Sequence, residues 1–114
     1  MIANTAYMAI GPRQIIVQGS DWSSTVTVRN AAGTAVDITS YSFELYVEVN
    51  GVKLTGSYDK VNLAGGVLSV SLGNDQTDTF PAPALGVAQL WGQVGSTRLC
   101  VLTFNILTVP ELTP

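Results

Sequence analysis

The most constraining feature of the sequence is a strict alternation of apolar and polar residues over positions 42–49, SFELYVEV. Such alternation is typical of a β-strand that has one face on a hydrophobic core and the other on solvent. Asn50 and Gly51 follow at once, and both residue types tolerate the left-handed backbone of a type I′ turn. The sequence therefore predicts a hairpin whose returning strand is VKLTGSY.

Shorter segments with strand character follow one another along the chain, separated by residues that favour turns. A spacing of about 8–12 residues between such strands is typical of a β-sandwich. The segment GNDQTDTFP differs, because Asn74 or Asp75 can cap one turn of helix before Pro81 ends it. We therefore predict an all-β fold, an immunoglobulin-like antiparallel β-sandwich of about seven to eight strands with one short helical turn. The other predicted strands are RQIIVQ, DWSSTVTVR, AVDITSY, VLSVSL, VAQLWGQ and TRLCVLTFNIL.

A Gly-Ser-Asp turn precedes the strand DWSSTVTVR. We predict that Gly19 and Asp21 shape this turn and that it aims the following strand at the core. Trp22 shares a face of that strand with Val26 and Val28, so we predict that its ring fills the sandwich.

The last predicted strand is apolar on both faces, and only one of them can belong to the sandwich core. Cys100 lies on the face that we predict to point inward, where a thiol among aliphatic side chains is inert. Leu99 and Val101 lie on the other face, and Trp91 lies on the glutamine-bearing face of the preceding strand. An apolar second face implies a cover, supplied by another chain or by an N-terminal arm. We predict that Trp91, Leu99 and Val101 belong to a subunit interface.

Residues 1–12 carry no charged side chain and show no clear period. A frayed terminus is one explanation, but several large apolar side chains are unusual in a segment left in water. We predict an N-terminal arm over residues 1–12 that docks on a neighbour, followed by a single β-sandwich domain over residues 13–114. The arm residues assigned to this interface are Ile2, Tyr7, Met8 and Ile10.

Residue types that carry enzyme chemistry are scarce. The chain has no histidine, which removes the commonest general base and the commonest metal ligand. The acids between Asn74 and Asp78 match no calcium-loop spacing, and a helix cap explains Asp75 better. We therefore predict a protein that is not an enzyme and that has no metal and no cofactor.

Weak charge narrows the range of partners. Charged residues make up 11% of the chain, against about 25% in typical soluble domains. The 5 basic residues are scattered, so we expect no nucleic-acid partner. The sequence does not open with basic residues followed by an apolar run, so we expect neither a signal peptide nor a membrane partner. We expect the chain to be made in a cytoplasm. A weakly charged surface resists aggregation poorly unless it is covered, which favours a protein that is part of an assembly.

Several segments, in their order and spacing, resemble a family of bacteriophage and prophage structural domains that includes the N-terminal domain of the baseplate upper protein. The similarity covers nearly everything after residue 12. The chain departs from the family pattern at Ser40, where glycine is frequent, and in its charge-poor hairpins. The matching segments are QGSDW at 18–22, GTAVDITSY at 33–41, GVLSVSL at 66–72, DQTDTFPAPALG at 75–86 and TVPELTP at 108–114.

The resemblance implies an immunoglobulin-like sandwich built into a virion, made in the cytoplasm of a host bacterium. The partners of the chain would be copies of itself and other virion proteins of the tail, baseplate or fibre. The resemblance implies no catalytic residues for this chain. A capsid decoration or cement protein is a close alternative, since small sandwiches with docking arms suit that task too. A different class is a virion module that binds host-surface glycan through Trp91 and nearby tyrosines.

Overall fold

The computed structural model of the chain describes residues 6–112, which form nine strands and one helical turn. The all-β prediction is confirmed. The helical turn α1 (Asn74–Thr77) lies between the seventh and eighth strands. The strands are β1 (Ala9–Ile10), β2 (Gln14–Val17), β3 (Trp22–Thr27), β4 (Ser42–Val49), β5 (Val52–Thr55), β6 (Ser57–Asn62), β7 (Val67–Leu72), β8 (Ala84–Val94) and β9 (Thr97–Val109).

Two sheets make up the sandwich. The large sheet has the order β5-β4-β8-β9, and both β1 and β2 add to its far side by pairing with β9. The small sheet has the order β3-β7-β6. All pairings are antiparallel except those of β1 and β2 with β9, which are parallel. The predicted antiparallel pattern is therefore wrong at this one edge.

The core lies between the sheets and follows the predicted alternation. In β4, Phe43, Leu45, Val47 and Val49 are buried, while the residues between them face outward. Trp22 is buried as predicted, with its ring centroid 6.0 Å from that of Phe104 across the sandwich. From the small sheet, the buried side chains include Val26, Leu68, Val70 and Leu72.

The predicted turns are present, but the helix cap is different. Asn50 and Gly51 have φ values of 48° and 90°, as a type I′ turn requires. Gly19 also has a positive φ, 81°. The Asp21 carboxylate accepts a hydrogen bond of 2.8 Å from the backbone N–H of Asn74. The first turn of α1 is thus capped from a distant loop, and the expectation that Asn74 or Asp75 supplies the cap is wrong.

The described part of the predicted arm lies on its own domain. The backbone N–H of Tyr7 donates to the carbonyl of Arg29, 2.8 Å away, beyond the end of β3. Four residues later, the N–H of Gly11 donates over 2.8 Å to the carbonyl of Thr103 in β9. Residues 6–12 therefore pass from the edge of the small sheet to the edge of the large one. Ile2 lies outside the described residues.

A β-bulge in β9 overturns the predicted facing of its first half. Leu90 of β8 pairs with Leu102, but the next residue, Trp91, pairs with Cys100, so Val101 is an extra residue. Because a bulge adds one residue, the alternation shifts by one, and residues before the bulge point to the face opposite to the one that unbroken alternation predicts. Val101 is consequently only 4% exposed and belongs to the core, while Cys100 lies on the outer face and is half-buried. The predictions of an inward Cys100 and an interfacial Val101 are both wrong.

Candidate functional site: the outer face of the large sheet

One end of the outer face of the large sheet is apolar. Ile15 of β2, Leu107 of β9 and Leu85 of β8 form a row of directly paired residues across three strands. Ile15 is 58% and Leu85 is 66% exposed. A contiguous exposed surface of aliphatic side chains is uncommon on a protein that works alone. We call this surface the apolar patch; it comprises Ile15, Val17, Leu85, Val87, Leu107 and Val109.

The apolar patch is a consequence of strands that are apolar on both faces. Within β2, Ile16 is fully buried while its neighbours Ile15 and Val17 point to solvent. Within β8, Leu85 and Val87 alternate with Gly86 and the buried Ala88. Alternation in a half-exposed sheet normally places polar residues on the outer face. Here that rule fails over adjacent strands, so the exposed aliphatic groups become neighbours.

The middle of the same face carries a depression of about 480 Å³ centred on β8 and β4. Trp91 is half-buried at its wall, and Tyr46 pairs with Gln89 across the β4–β8 boundary. We call this site the aromatic depression. Its lining includes Tyr46, Glu48, Lys53, Gln89, Trp91 and Arg98.

The indole ring of Trp91 is fixed by two polar neighbours. Its Nε1–H donates a hydrogen bond of 3.1 Å to Oε1 of Gln89. The guanidinium carbon of Arg98 lies 4.2 Å from the ring centroid, in a cation–π contact. Together these contacts hold a large aromatic side chain in one orientation on an otherwise open sheet.

Cys100 lies beside the aromatic depression, directly paired with Trp91. Its Sγ is 3.4 Å from the carbonyl oxygen of Leu102, to which the thiol donates. Burial raises the pKa of the Cys100 thiol, and the opposing effects of this hydrogen bond and of the positive charge on Arg98 are smaller. The thiol therefore stays protonated near neutral pH and is a weak nucleophile.

The structure separates the residues that were predicted to form one interface. Met8 and Ile10 are exposed near the edge of the large sheet, and Tyr7 is exposed where the chain leaves the small sheet. Trp91 is half-exposed on the outer face of the large sheet. Leu99 is half-buried and packs against the core, so its predicted place on the outer face is wrong for the same reason as that of Val101.

Sequence reasoning missed most of the apolar patch. Only one of its six residues was anticipated: Leu107 ends the last predicted strand, TRLCVLTFNIL, which was expected to be apolar on both faces. A signal was present, because the alternation in β8 begins at Ala84, three residues before the predicted strand VAQLWGQ. Extending that strand backward places Leu85 and Val87 on the face of Gln89. The contribution of Ile15 and Val17 could not be found, because it depends on the parallel pairing of β2 with β9.

Two kinds of site are absent from residues 6–112. No group of three or more acidic, cysteine or histidine side chains there could hold a metal ion. In the same residues, no helix has the length and apolar character needed to cross a membrane.

No protein-family model matches the sequence, and no curated protein matches it.

Proposed function

We propose that this chain is a non-enzymatic structural protein of a bacteriophage virion, associated with the tail, baseplate or fibre, that assembles with copies of itself. Two independent lines support the proposal. The first is the order and spacing of the segments, from Gln18 onward, that resemble phage structural domains. The second, which carries the proposal, is the apolar patch on the large sheet.

The apolar patch suits a second copy of the chain. In a two-fold dimer the same patch of both copies lies in the interface, so the apolar area that is buried is twice the area of one patch. Fully burying one aliphatic side chain is worth about 1.5–3 kcal/mol. Several such side chains are needed to offset the roughly 4–15 kcal/mol that association costs in lost freedom. Only the exposed fraction of each side chain counts, from 66% at Leu85 to 39% at Val87 and less at Leu107 and Val109. Summed over two copies, these fractions still correspond to a stabilisation of about the same size as the association cost.

The rest of the molecule is consistent with a rigid building block. The described residues extend over 54 × 23 × 22 Å, and the long β8–β9 hairpin pairs along almost its whole length. Further exposed apolar side chains are Ile10 in β1, Met8 just before it, and Tyr7 nearer the small sheet. In this account the protein acts through its shape and its surfaces, which symmetry repeats around an assembly.

The direct test of a virion role is to look for the chain in particles. Mass spectrometry of purified phage particles from the source that encodes the chain should detect it in stoichiometric amounts. Antibody labelling in electron micrographs should then mark the tail or its tip. Labelling of the head would favour a capsid decoration protein, and absence from complete particles would contradict the proposal.

A further inference from the structure

We infer that the aromatic depression is a carbohydrate-binding site, and that its ligand is a neutral oligosaccharide of pyranose rings. The inference goes beyond assembly, since a virion subunit that binds a glycan also contacts a surface outside the particle. It is carried by three features of the depression: a fixed aromatic ring, a mixed set of planar polar groups and a suitable volume.

The fixed ring is the first feature. A pyranose ring presents a face of C–H groups that stacks on a flat aromatic surface, and tryptophan offers the largest such surface among side chains. Trp91 is held by the hydrogen bond to Gln89 and by the cation–π contact with Arg98. The Arg98 guanidinium covers one face of the indole ring, so a pyranose would stack on the other face. A ring that is already ordered loses little side-chain freedom when a ligand binds, which lowers the cost of association.

The polar lining is the second feature. Sugar hydroxyls both donate and accept hydrogen bonds, so they need carboxylate or amide acceptors and amide, ammonium or guanidinium donors nearby. Gln89, Glu48 and Lys53 supply these groups around the depression, and Arg98 adds five N–H donors. Glu48 and Lys53 are direct partners across the β4–β5 pair. Lys53 and Arg98 are positive and Glu48 is negative, so the charges of the lining nearly cancel and give a polyanion no strong attraction.

The third feature is size and position. A volume of about 480 Å³ lies within the roughly 300–1,000 Å³ typical of small-molecule sites. Trp91 is six residues from Leu85 along β8, which is about 20 Å at about 3.3 Å per residue. The two surfaces meet only at Val87, which belongs to the patch and also lines the depression. Binding at Trp91 is therefore separable from association through the apolar patch.

The test is a titration of the purified chain, by isothermal calorimetry, with three defined probes. Maltohexaose and hexa-N-acetylchitohexaose are neutral, and hexagalacturonate is a polyanion of similar length. We expect at least one neutral hexasaccharide to bind with a Kd below about 1 mM, and hexagalacturonate to bind more weakly. Failure of both neutral probes to bind would overturn the inference, as would preferential binding of the polyanion.

Variants assign the binding to the depression. Trp91→Ala should weaken it by about tenfold or more, and Trp91→Phe should retain more of the affinity because a smaller ring still stacks. Tyr7→Ala is the matched control, since Tyr7 is an exposed aromatic residue (64%) outside the depression. Equal affinity of Trp91→Ala and wild type would overturn the inference. So would a Trp91→Ala variant that folds like wild type and changes the oligomer mass but not glycan binding, because the depression would then be a protein interface.

Discussion

At the scale of single residues, Gly66 occupies a position that has no room for a side chain. Gly66 has a φ of 69°, and a Cβ added there would lie 2.5 Å from the carbonyl oxygen of Val36 and 2.8 Å from that of Val28. The backbone of the β6–β7 turn therefore passes directly against two other segments. Gly95, in the β8–β9 turn, has a similar φ of 60° but no atom within 4 Å of the same position.

Substitutions at Gly95 and Gly66 distinguish the cost of backbone strain from the cost of steric overlap. Gly95→Ala should lower the free energy of unfolding by about 1–2 kcal/mol, the cost of a left-handed backbone for a residue with a Cβ. Gly66→Ala should cost roughly 4 kcal/mol or more, because it adds an overlap with backbone atoms that cannot move aside. Urea denaturation followed by circular dichroism measures both variants. Equal destabilisation would contradict the close approach at Gly66.

Cys100 gives a second prediction at this scale. Because burial raises the pKa of its thiol, the thiolate fraction at a given pH is lower in the folded chain than in the unfolded chain. The rate of labelling by a disulfide reagent should therefore rise with pH around a midpoint above that of the urea-unfolded chain. Cys100 is the single cysteine, so wild-type protein gives an unambiguous profile. A folded-state midpoint at or below the unfolded one would contradict the burial of this thiol.

At the scale of elements, what the sequence predicts well is local. β4 and the Asn50-Gly51 turn follow from alternation and turn chemistry over ten adjacent residues, and both are confirmed. The segment AVDITSY is not a regular strand, although Val36, Ile38 and Tyr41 are buried as predicted. These buried side chains follow from hydrophobicity alone and do not require strand geometry.

What the sequence does not reveal depends on partners distant in the chain. The predicted strand VKLTGSY divides at Gly56, where a Cβ would lie 2.6 Å from the Leu45 side chain and 2.8 Å from the carbonyl oxygen of Ser71. At this point the chain leaves the large sheet in β5 and enters the small sheet in β6. The bulge at Val101 is equally invisible, because it is a property of the pairing between β8 and β9. Two of the seven residues predicted for the interface, Leu99 and Val101, were placed on the wrong face for this reason.

The inward position of Val101 at the bulge can be tested by substitution. Val101→Ala should lower the free energy of unfolding by about 1–3 kcal/mol, because it removes core methyl groups and leaves a cavity. It should leave the oligomer mass unchanged, since the side chain faces the interior. Denaturation and light scattering on the same sample distinguish the two effects. A variant of normal stability that dissociates would restore Val101 to an interface.

At the scale of the whole molecule, the two halves of one sheet face have different characters. The end near Leu85 and Ile15 is aliphatic, while the part around Trp91 is polar and aromatic. We propose that the first joins copies of the chain and that the second binds carbohydrate. The resemblance to phage structural domains agrees with the first role, and it has no bearing on the second.

The most direct test of the assembly proposal is the absolute mass of the chain in solution, measured by light scattering over a range of concentrations. The key variant is Leu85→Glu, which places a charge in the apolar patch. Val61→Glu is the matched control, because Val61 lies on β6 in the small sheet and is 65% exposed, against 66% for Leu85. We expect wild type and Val61→Glu to have a multiple of the 12.0 kDa chain mass, and Leu85→Glu to have the mass of one chain. A wild-type protein of 12.0 kDa at every concentration, or a Leu85→Glu variant with the wild-type oligomer mass, would contradict assembly through this face.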